Sequence, residues 1–255
     1  MKPSIAFTVH DDTGRGLSLL GDIDRDLKSY FSEAFIVTTP ITNINYPEKA
    51  RLLEKDPFYH VFKAPQKSII GKHKKLCWSK AAELSKASII HLTDLDRLSY
   101  AILKHNKPYT KSLLGISNIH KPLFFDRSEK AWKPHPINYR AIESSVRELA
   151  KVLFNKDLDF GWCYLVVSRS SLRKVVPKLR SDELYVYGEL IYWLRDTIVY
   201  KKVDWLAWED PFFLGKDPKI IKKQRETDNR ENEKRLGYVI PTIKFLLKKW
   251  QQSQR

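Results

Sequence analysis

Over its first hundred residues the chain alternates short apolar runs with longer stretches whose apolar side chains recur every three or four positions. Few folds accommodate that alternation. The runs "SIAFTV" (4–9), "AFIVTT" (34–39), "YHVFKA" (59–64) and "SIIHLT" (88–93) read as strands, bounded by polar residues or proline. Between the first two, Leu20, Ile23, Leu27, Tyr30 and Phe31 form one helical face, with Asp22, Asp24, Asp26 and Lys28 turned outward. Pro40 closes the second strand, a loop with two prolines leads to the third, and "GKHKKLCWSKAAELSKA" (71–87) is helical in composition. The expected class is α/β, a mostly parallel central sheet with crossover helices on both faces. Ligands of such sheets gather beyond the carboxyl ends of the strands, which puts "HDDTG" (10–14) and "DLDR" (94–97) on one rim.

The second half is less regular. "SLLGIS" (112–117) reads as a strand, "FFDRSEKAWKPHPIN" (124–138) as a proline-punctuated loop, and Tyr139, Ile142, Val146, Leu149 and Val152 as the buried stripe of a helix. "GWCYLVVSR" (161–169) gives a strand followed by a helix, "DELYVYGELIYWLRDT" (182–197) a helix, and "VYKKVDWLAW" (199–208) a late strand that ends on Glu209-Asp210-Pro211. The remainder is helical and polar, with Pro241 near the start of a last short amphipathic segment.

At 255 residues the chain can bury a full core without staples. Its two cysteines, Cys77 and Cys163, suggest a reducing compartment and core roles rather than a disulfide framework. With no leader-like start and no apolar run near the ~20 residues of a membrane span, a soluble cytoplasmic protein is expected. The net charge of +16 is unevenly spread: residues 1–45 carry four Lys/Arg against six Asp/Glu, residues 216–255 twelve against five. Such a field attracts nucleic acid, an anionic membrane surface or a phosphorylated small molecule.

Four Asp-x-Asp pairs occur, and context separates them. Asp22/Asp24 and Asp24/Asp26 lie on the solvated face of a helix, and Asp157/Asp159 precede a strand, at the edge away from a carboxyl-end site unless that strand runs antiparallel. Only Asp94/Asp96 follow an apolar strand and open a helix. Capping by Thr93 or Asp94, worth ~1 kcal/mol, accounts for one acid. Two neighbouring carboxylates repel unless a cation sits between them, and hard oxygen ligands beside phosphate oxygens suit Mg²⁺ or Mn²⁺.

Together these elements, with a basic helix preceding "IIHLTDLDR", resemble the nucleotide-binding half of GT-A-fold glycosyltransferases, most strongly over residues 4–106. The similarity is to bacterial or archaeal members with a D-x-D-R form of the motif. It implies a Rossmann-like nucleotide-sugar-binding half (1–110), a mixed acceptor-binding and catalytic half of the same domain (111–215) and a basic helical C-terminal segment (216–255). It further implies that Asp94 and Asp96 hold Mn²⁺ or Mg²⁺, with Asp96 the direct ligand and Asp94 nearer the ribose or sugar. His10, Asp11 and Asp12 would line the nucleotide pocket. Lys74 or Lys75 would reach the base or diphosphate, where the family more often has Arg. Glu209 or Asp210 would stand where many inverting members carry their carboxylate base, the donor being UDP- or GDP-linked and the stereochemical course left open. Trp205, Trp208, Trp132 and Trp162 are candidates to stack on a sugar, and His120 and His135 are weak candidates for late metal ligands.

Three rivals belong to other classes. A nucleotidylyltransferase wants a basic, glycine-rich first loop, where this chain has the acidic "TVHDDTGRGL". A metal-dependent nuclease wants a third carboxylate or a catalytic Lys or His that spacing does not point to. A non-enzymatic protein would use the basic C-terminal segment on nucleic acid or anionic lipid, through contacts that weaken steeply with salt.

Overall fold

The computed structural model describes residues 2–116, 119–159 and 164–254. Each expected strand of the first half is present: β1 (Ser4–Val9), β2 (Ala34–Thr38), β3 (Tyr59–Lys63) and β4 (Ile89–Leu92). β1, β2 and β4 are buried along their whole length, which is why they read as unbroken apolar runs. Between them run α1 (Arg15–Tyr30), α2 (Pro40–Asn45), α3 (Pro47–Lys55) and α4 (Ile70–Leu84). The chain continues through α5 (Leu95–Leu113), β5 (Leu123–Arg127), α6 (Glu129–Trp132), α7 (Ile137–Phe154), β6 (Tyr164–Ser168), α8 (Arg169–Val175), α9 (Val186–Leu194), β7 (Val199–Val203), α10 (Asp210–Leu214), α11 (Pro218–Thr227) and α12 (Asn229–Ser253).

One seven-stranded sheet of order β3-β2-β1-β4-β6-β5-β7 carries these elements. It is mostly parallel, with helices around it and a helical C-terminus; only β6 runs against its neighbours β4 and β5. That reversal matters for the site. Because β6 is antiparallel, its amino end lies at the carboxyl ends of β1, β4, β5 and β7, so the segments flanking all five meet on one rim.

Several expectations are corrected. Residues 112–113 close α5 and 114–116 form a turn, so "SLLGIS" is no strand within its described part. The strand is instead β5, hidden in the stretch expected to be a loop, where "LFFDR" is too short to show a period. The two-proline loop holds α2 and α3, because proline at the first helical position costs no backbone hydrogen bond. On α7, Tyr139 and Val146 are buried, but Val152 is 81% exposed, since the helix turns its last face to solvent. Pro241 lies inside the 25-residue α12, whose Val239, Thr242 and Leu246 are buried on either side of it, so packing holds the helix through the proline. In α5 the irregular His105 precedes Pro108, and the helix kinks there rather than ending.

Under β4, β5 and β6 lies an aromatic core in which Trp205 meets Tyr109, Phe125 and Tyr164 edge-on at 5.1–5.2 Å. Fully buried His91 reaches the Tyr164 hydroxyl through Nδ1 at 3.0 Å, and that hydroxyl pairs with Tyr109 at 2.8 Å. Cys77 is buried beside the Phe7 carbonyl at 3.4 Å, and burial pushes its thiol up to about 12, as a core residue requires. Cys163 lies outside the described residues.

Gly71, in the first turn of α4, lies against the backbone before α9: a Cβ there would sit 2.3 Å from the carbonyl of Asp182 and 2.4 Å from that of Glu183. Gly71→Ala is therefore expected to lower stability by about 1–3 kcal/mol, seen as a fall in thermal midpoint. Burial lowers the His91 pKa to about 3, so the folded chain keeps it neutral while the unfolded chain takes up a proton below its ordinary 6.5. Stability from this group is complete above pH 6.5 and is lost at about 1.4 kcal/mol per pH unit as pH falls toward 3. His91→Phe should flatten that slope in urea titrations compared across pH.

Candidate functional site

β4 delivers its chain directly into the first turn of α5, placing Asp94 at the N-cap position and Asp96 one residue inside the helix. Asp94 does not cap. Its carboxylate is ion-paired with Lys74 of α4, which is only 2% exposed, and receives the Tyr187 hydroxyl of α9 at 3.0 and 3.2 Å. Lys74 is thus a buried cation held by Asp94, and its expected reach to a base or diphosphate is replaced by this pair. Lys75 bonds Asp182 at 2.6 Å, which draws the loop before α9 onto α4.

Asp96 accepts the Arg97 backbone N–H at 2.7 Å. Burial, with the Asp94 charge adding to it, pushes its carboxyl up to about 6. The late acidic motif arrives beside it from β7: Arg97 Nη2 lies 3.3 Å from Glu209 Oε1, and Asp96 and Asp210 both act on Glu209. Glu209 is 5% exposed, and burial foremost pushes it up to about 7. Asp210 opens α10 and lies 3.6 Å from Arg225 of α11. Two acidic motifs more than a hundred residues apart in sequence therefore meet on the rim.

The β1–α1 loop splits the expected nucleotide residues. Asp11 is 1% exposed, and its carboxylate accepts the backbone N–H groups of Thr13, Gly14 and Leu17, so it holds the loop. His10 is exposed beside Thr39, 3.2 Å away. Asp12 borders an open cleft of about 730 Å³ whose walls include Arg15, Tyr46, Lys49, Phe213 and Lys216.

Other candidates fall elsewhere. Trp205 is core, its indole N–H donating to Ser112 at 3.0 Å, so it offers no face to a sugar. The Trp132 ring is covered by Arg127 at 3.5 Å, Trp208 is buried near His135, and Trp162 lies outside the described residues. His135 is buried with Nε2 facing an Arg127 guanidinium nitrogen at 3.4 Å, and among the described residues it joins no group of three or more His, Cys, Asp and Glu placed to hold a metal. His120 lies with Ser88 and Ser168 in a cleft at the amino end of β4, the opposite edge from Asp94.

Asp157 and Asp159 reach the site's side of the sheet because β6 is antiparallel, yet they serve arginines: Asp157 bonds Arg147 at 2.5 Å and Asp159 bonds Arg127 at 2.6 Å. Sequence reasoning missed Tyr187, Arg225 and Arg235, which reach the site region from helices with no motif. Arg97 was legible as the fourth residue of "DLDR".

A hard divalent cation suits carboxylate oxygens, and Mg²⁺ or Mn²⁺ commonly takes one or two of them with substrate phosphates completing the shell. Among the described residues, no group of three or more His, Cys, Asp and Glu side chains is placed to hold a metal alone. Glu209 Oε2 is buried without a hydrogen-bond partner, and Asp210 Oδ2 has only Arg225 Nη2 at 3.6 Å. Asp96, in the first turn of α5 on this rim, is a donor that fits an ion sharing its shell with a ligand.

In fold the chain is similar to a mycobacterial protein of known crystal structure, at 12% identity and TM-score 0.50, over 81% of this chain and 66% of that one. Two crystal structures of glucosyl-3-phosphoglycerate synthase from Mycobacterium tuberculosis also match. The one in complex with uridine diphosphate does so at 13% identity and TM-score 0.49, over 78% and 69% of the two chains. The one with Mn²⁺, uridine diphosphate and phosphoglyceric acid does so at 12% and 0.48, over 78% and 67%. The chain thus spans about two thirds of each of these structures. No protein-family model matches the sequence, and no curated protein matches it.

Asp94→Asn leaves the Lys74 ammonium buried without its anion and should cost about 3–5 kcal/mol. Asp96→Asn and Glu209→Gln each remove a buried charge and should leave the thermal midpoint unchanged or raised, as measured by differential scanning calorimetry.

Proposed function

We propose that the protein is a metal-dependent glycosyltransferase that moves a sugar from a UDP- or GDP-linked donor to an acceptor hydroxyl. The observation that carries this reading is the meeting of Asp96 and Glu209 around Arg97 on the carboxyl rim of the sheet. A glycosyl transfer needs both parts: a cation-assisted place for the leaving diphosphate and a base beside the attacking hydroxyl.

Asp96 is the residue to hold Mn²⁺ or Mg²⁺, with Asp94 fixed behind it by Lys74 and Tyr187. When bound, the ion neutralises charge that builds on the departing diphosphate. The cleft bordered by Asp12 has room for a nucleotide, and Arg15, Lys49 and Lys216 supply its positive charge. Glu209, oriented by Arg97, takes the proton of the acceptor hydroxyl as the bond to the sugar forms. Asp210, next in the chain and near Arg225, is the alternative base.

The nucleic-acid reading of the basic segment loses ground. Arg225 and Arg235 are bound within the fold, to Glu231 and to Glu143, rather than spread over a free face. A peripheral contact with anionic membrane keeps one supporting observation: α12 exposes Leu236, Ile240 and Leu247 beside exposed Lys244 and Lys248. No helix among the described residues is long and apolar enough to cross a membrane.

Titration calorimetry of UDP and GDP, with and without Mn²⁺, should show metal-dependent binding of one nucleotide that Asp96→Asn loses. Glu209→Gln should keep that binding and lose about 10²–10⁴-fold in transfer. Absence of binding by either nucleotide would refute the reading. Sedimentation with anionic vesicles, weakened by salt and by Lys244→Glu/Lys248→Glu, checks the membrane contact.

A further inference from the structure

The cleft of about 730 Å³ beside the β1–α1 loop is bordered by one carboxylate, Asp12, and by Arg15, Tyr46, Lys49, Phe213 and Lys216. Asp12 is exposed, and among the described residues its carboxylate makes no hydrogen bond or ion pair. Its backbone is nonetheless held in place. The Asp12 carbonyl accepts the Asn45 side-chain amide at 3.2 Å and the Tyr46 hydroxyl at 3.4 Å. Next to it, Asp11 ties the loop to the start of α1.

Aromatic rings stand beside this carboxylate. Tyr46 closes on Gly14, where a Cβ would sit 3.0 Å from the ring, and Lys49 Nζ lies over the ring at 5.6 Å. Phe213, half-buried on α10, adds a second ring to the walls. Flat apolar walls with a few convergent polar groups suit a heteroaromatic base.

We infer that this cleft reads the base of the donor nucleotide and selects guanine, with Asp12 as the specificity-determining residue. The inference rests on the transferase reading above and names which of its two donor classes the chain uses, the GDP-linked one.

Selection follows from the edges of the bases. A carboxylate offers two acceptors side by side and no donor. Guanine presents two adjacent donors, N1–H and the 2-amino group, which match that pair. Its O6 and N7 are acceptors that Arg or Lys meets. Uracil presents a single N–H between two carbonyl oxygens, so a carbonyl would be pressed against the second carboxylate oxygen. Adenine and cytosine set a ring acceptor beside their amino group, with the same conflict.

The cations complete the match. Among the described residues, Arg15, Lys49 and Lys216 have no ion-pair partner, and Arg15 Nε is buried without a hydrogen bond. They are available to O6, N7 and the phosphate oxygens of the same ligand. A site built to bond two donors rejects an analogue that lacks one of them.

Titration calorimetry with Mn²⁺ on the full chain tests this, using GDP, UDP and inosine diphosphate, which is GDP without the 2-amino group. GDP should bind about ten- to a hundredfold tighter than either, the worth of a hydrogen bond to a charged group. Asp12→Asn keeps the size and replaces one acceptor by a donor. It should remove most of the difference between GDP and inosine diphosphate without lowering the thermal midpoint, because the carboxylate makes no bond within the fold.

Equal binding of GDP and inosine diphosphate would overturn the proposal, as would UDP binding as tight as GDP. So would an Asp12→Asn variant that weakens all three alike, the pattern expected if Asp12 held the ribose. In each of these cases a nucleotide still binds, and only the base assignment is lost. Binding of none of the three overturns the transferase reading together with it.

Discussion

The Lys74–Asp94 pair is the joint on which the arrangement depends. Lys74 stands on α4, Asp94 at the start of α5, and Tyr187, which shares the carboxylate, on α9. A buried ammonium has no cheap alternative to its partner, so the pair fixes the level at which α5 starts. That level in turn sets where Asp96 and Arg97 face the late acidic motif. Close by, Gly71 lets the backbone of Asp182 and Glu183 approach α4, and Lys75 bonds Asp182. Helices more than a hundred residues apart in sequence are registered by one small set of contacts at the end of α4.

Charge in this molecule is organised rather than displayed. The C-terminal segment, so basic in sequence, spends several of its arginines inside the fold. Arg235 lies over the Tyr139 ring at 3.7 Å and bonds Glu143, while Arg225 bonds Glu231 and approaches Asp210. Net charge is a poor guide to a partner when its carriers are already paired. Lysines remain exposed before and along α11 and α12, Lys216, Lys219, Lys223, Lys234, Lys244 and Lys248, the last two beside an apolar stripe on α12.

How much of this was legible depended on whether a residue's role is local. The first four strands, α1 and the position of Asp94 and Asp96 follow from runs and periods within a few residues, and these were readable. β5 was not, because five residues among prolines carry no period. The roles of Lys74 and Asp11 were not either. A basic residue near an acidic motif looks like a ligand contact, and an aspartate after a strand looks like part of a pocket. Only packing shows that one is neutralised by Asp94 and the other consumed by three backbone N–H groups. For Asp157 and Asp159 the deciding fact was strand direction, which sequence spacing does not encode.

The same contrast separates two kinds of acid on this rim. Asp11, Asp94 and Asp159 are buried or half-buried carboxylates whose oxygens meet cations or N–H donors, and they stabilise the places where the chain turns. Glu209 keeps an oxygen without a hydrogen-bond partner, Asp210 Oδ2 has only Arg225 Nη2 at 3.6 Å, and Asp96 is raised by burial and by a like charge. Desolvating a carboxylate without pairing it works against folding. Segments that accept that cost lie on the rim where ligands of such sheets bind, and there the fold gives up stability.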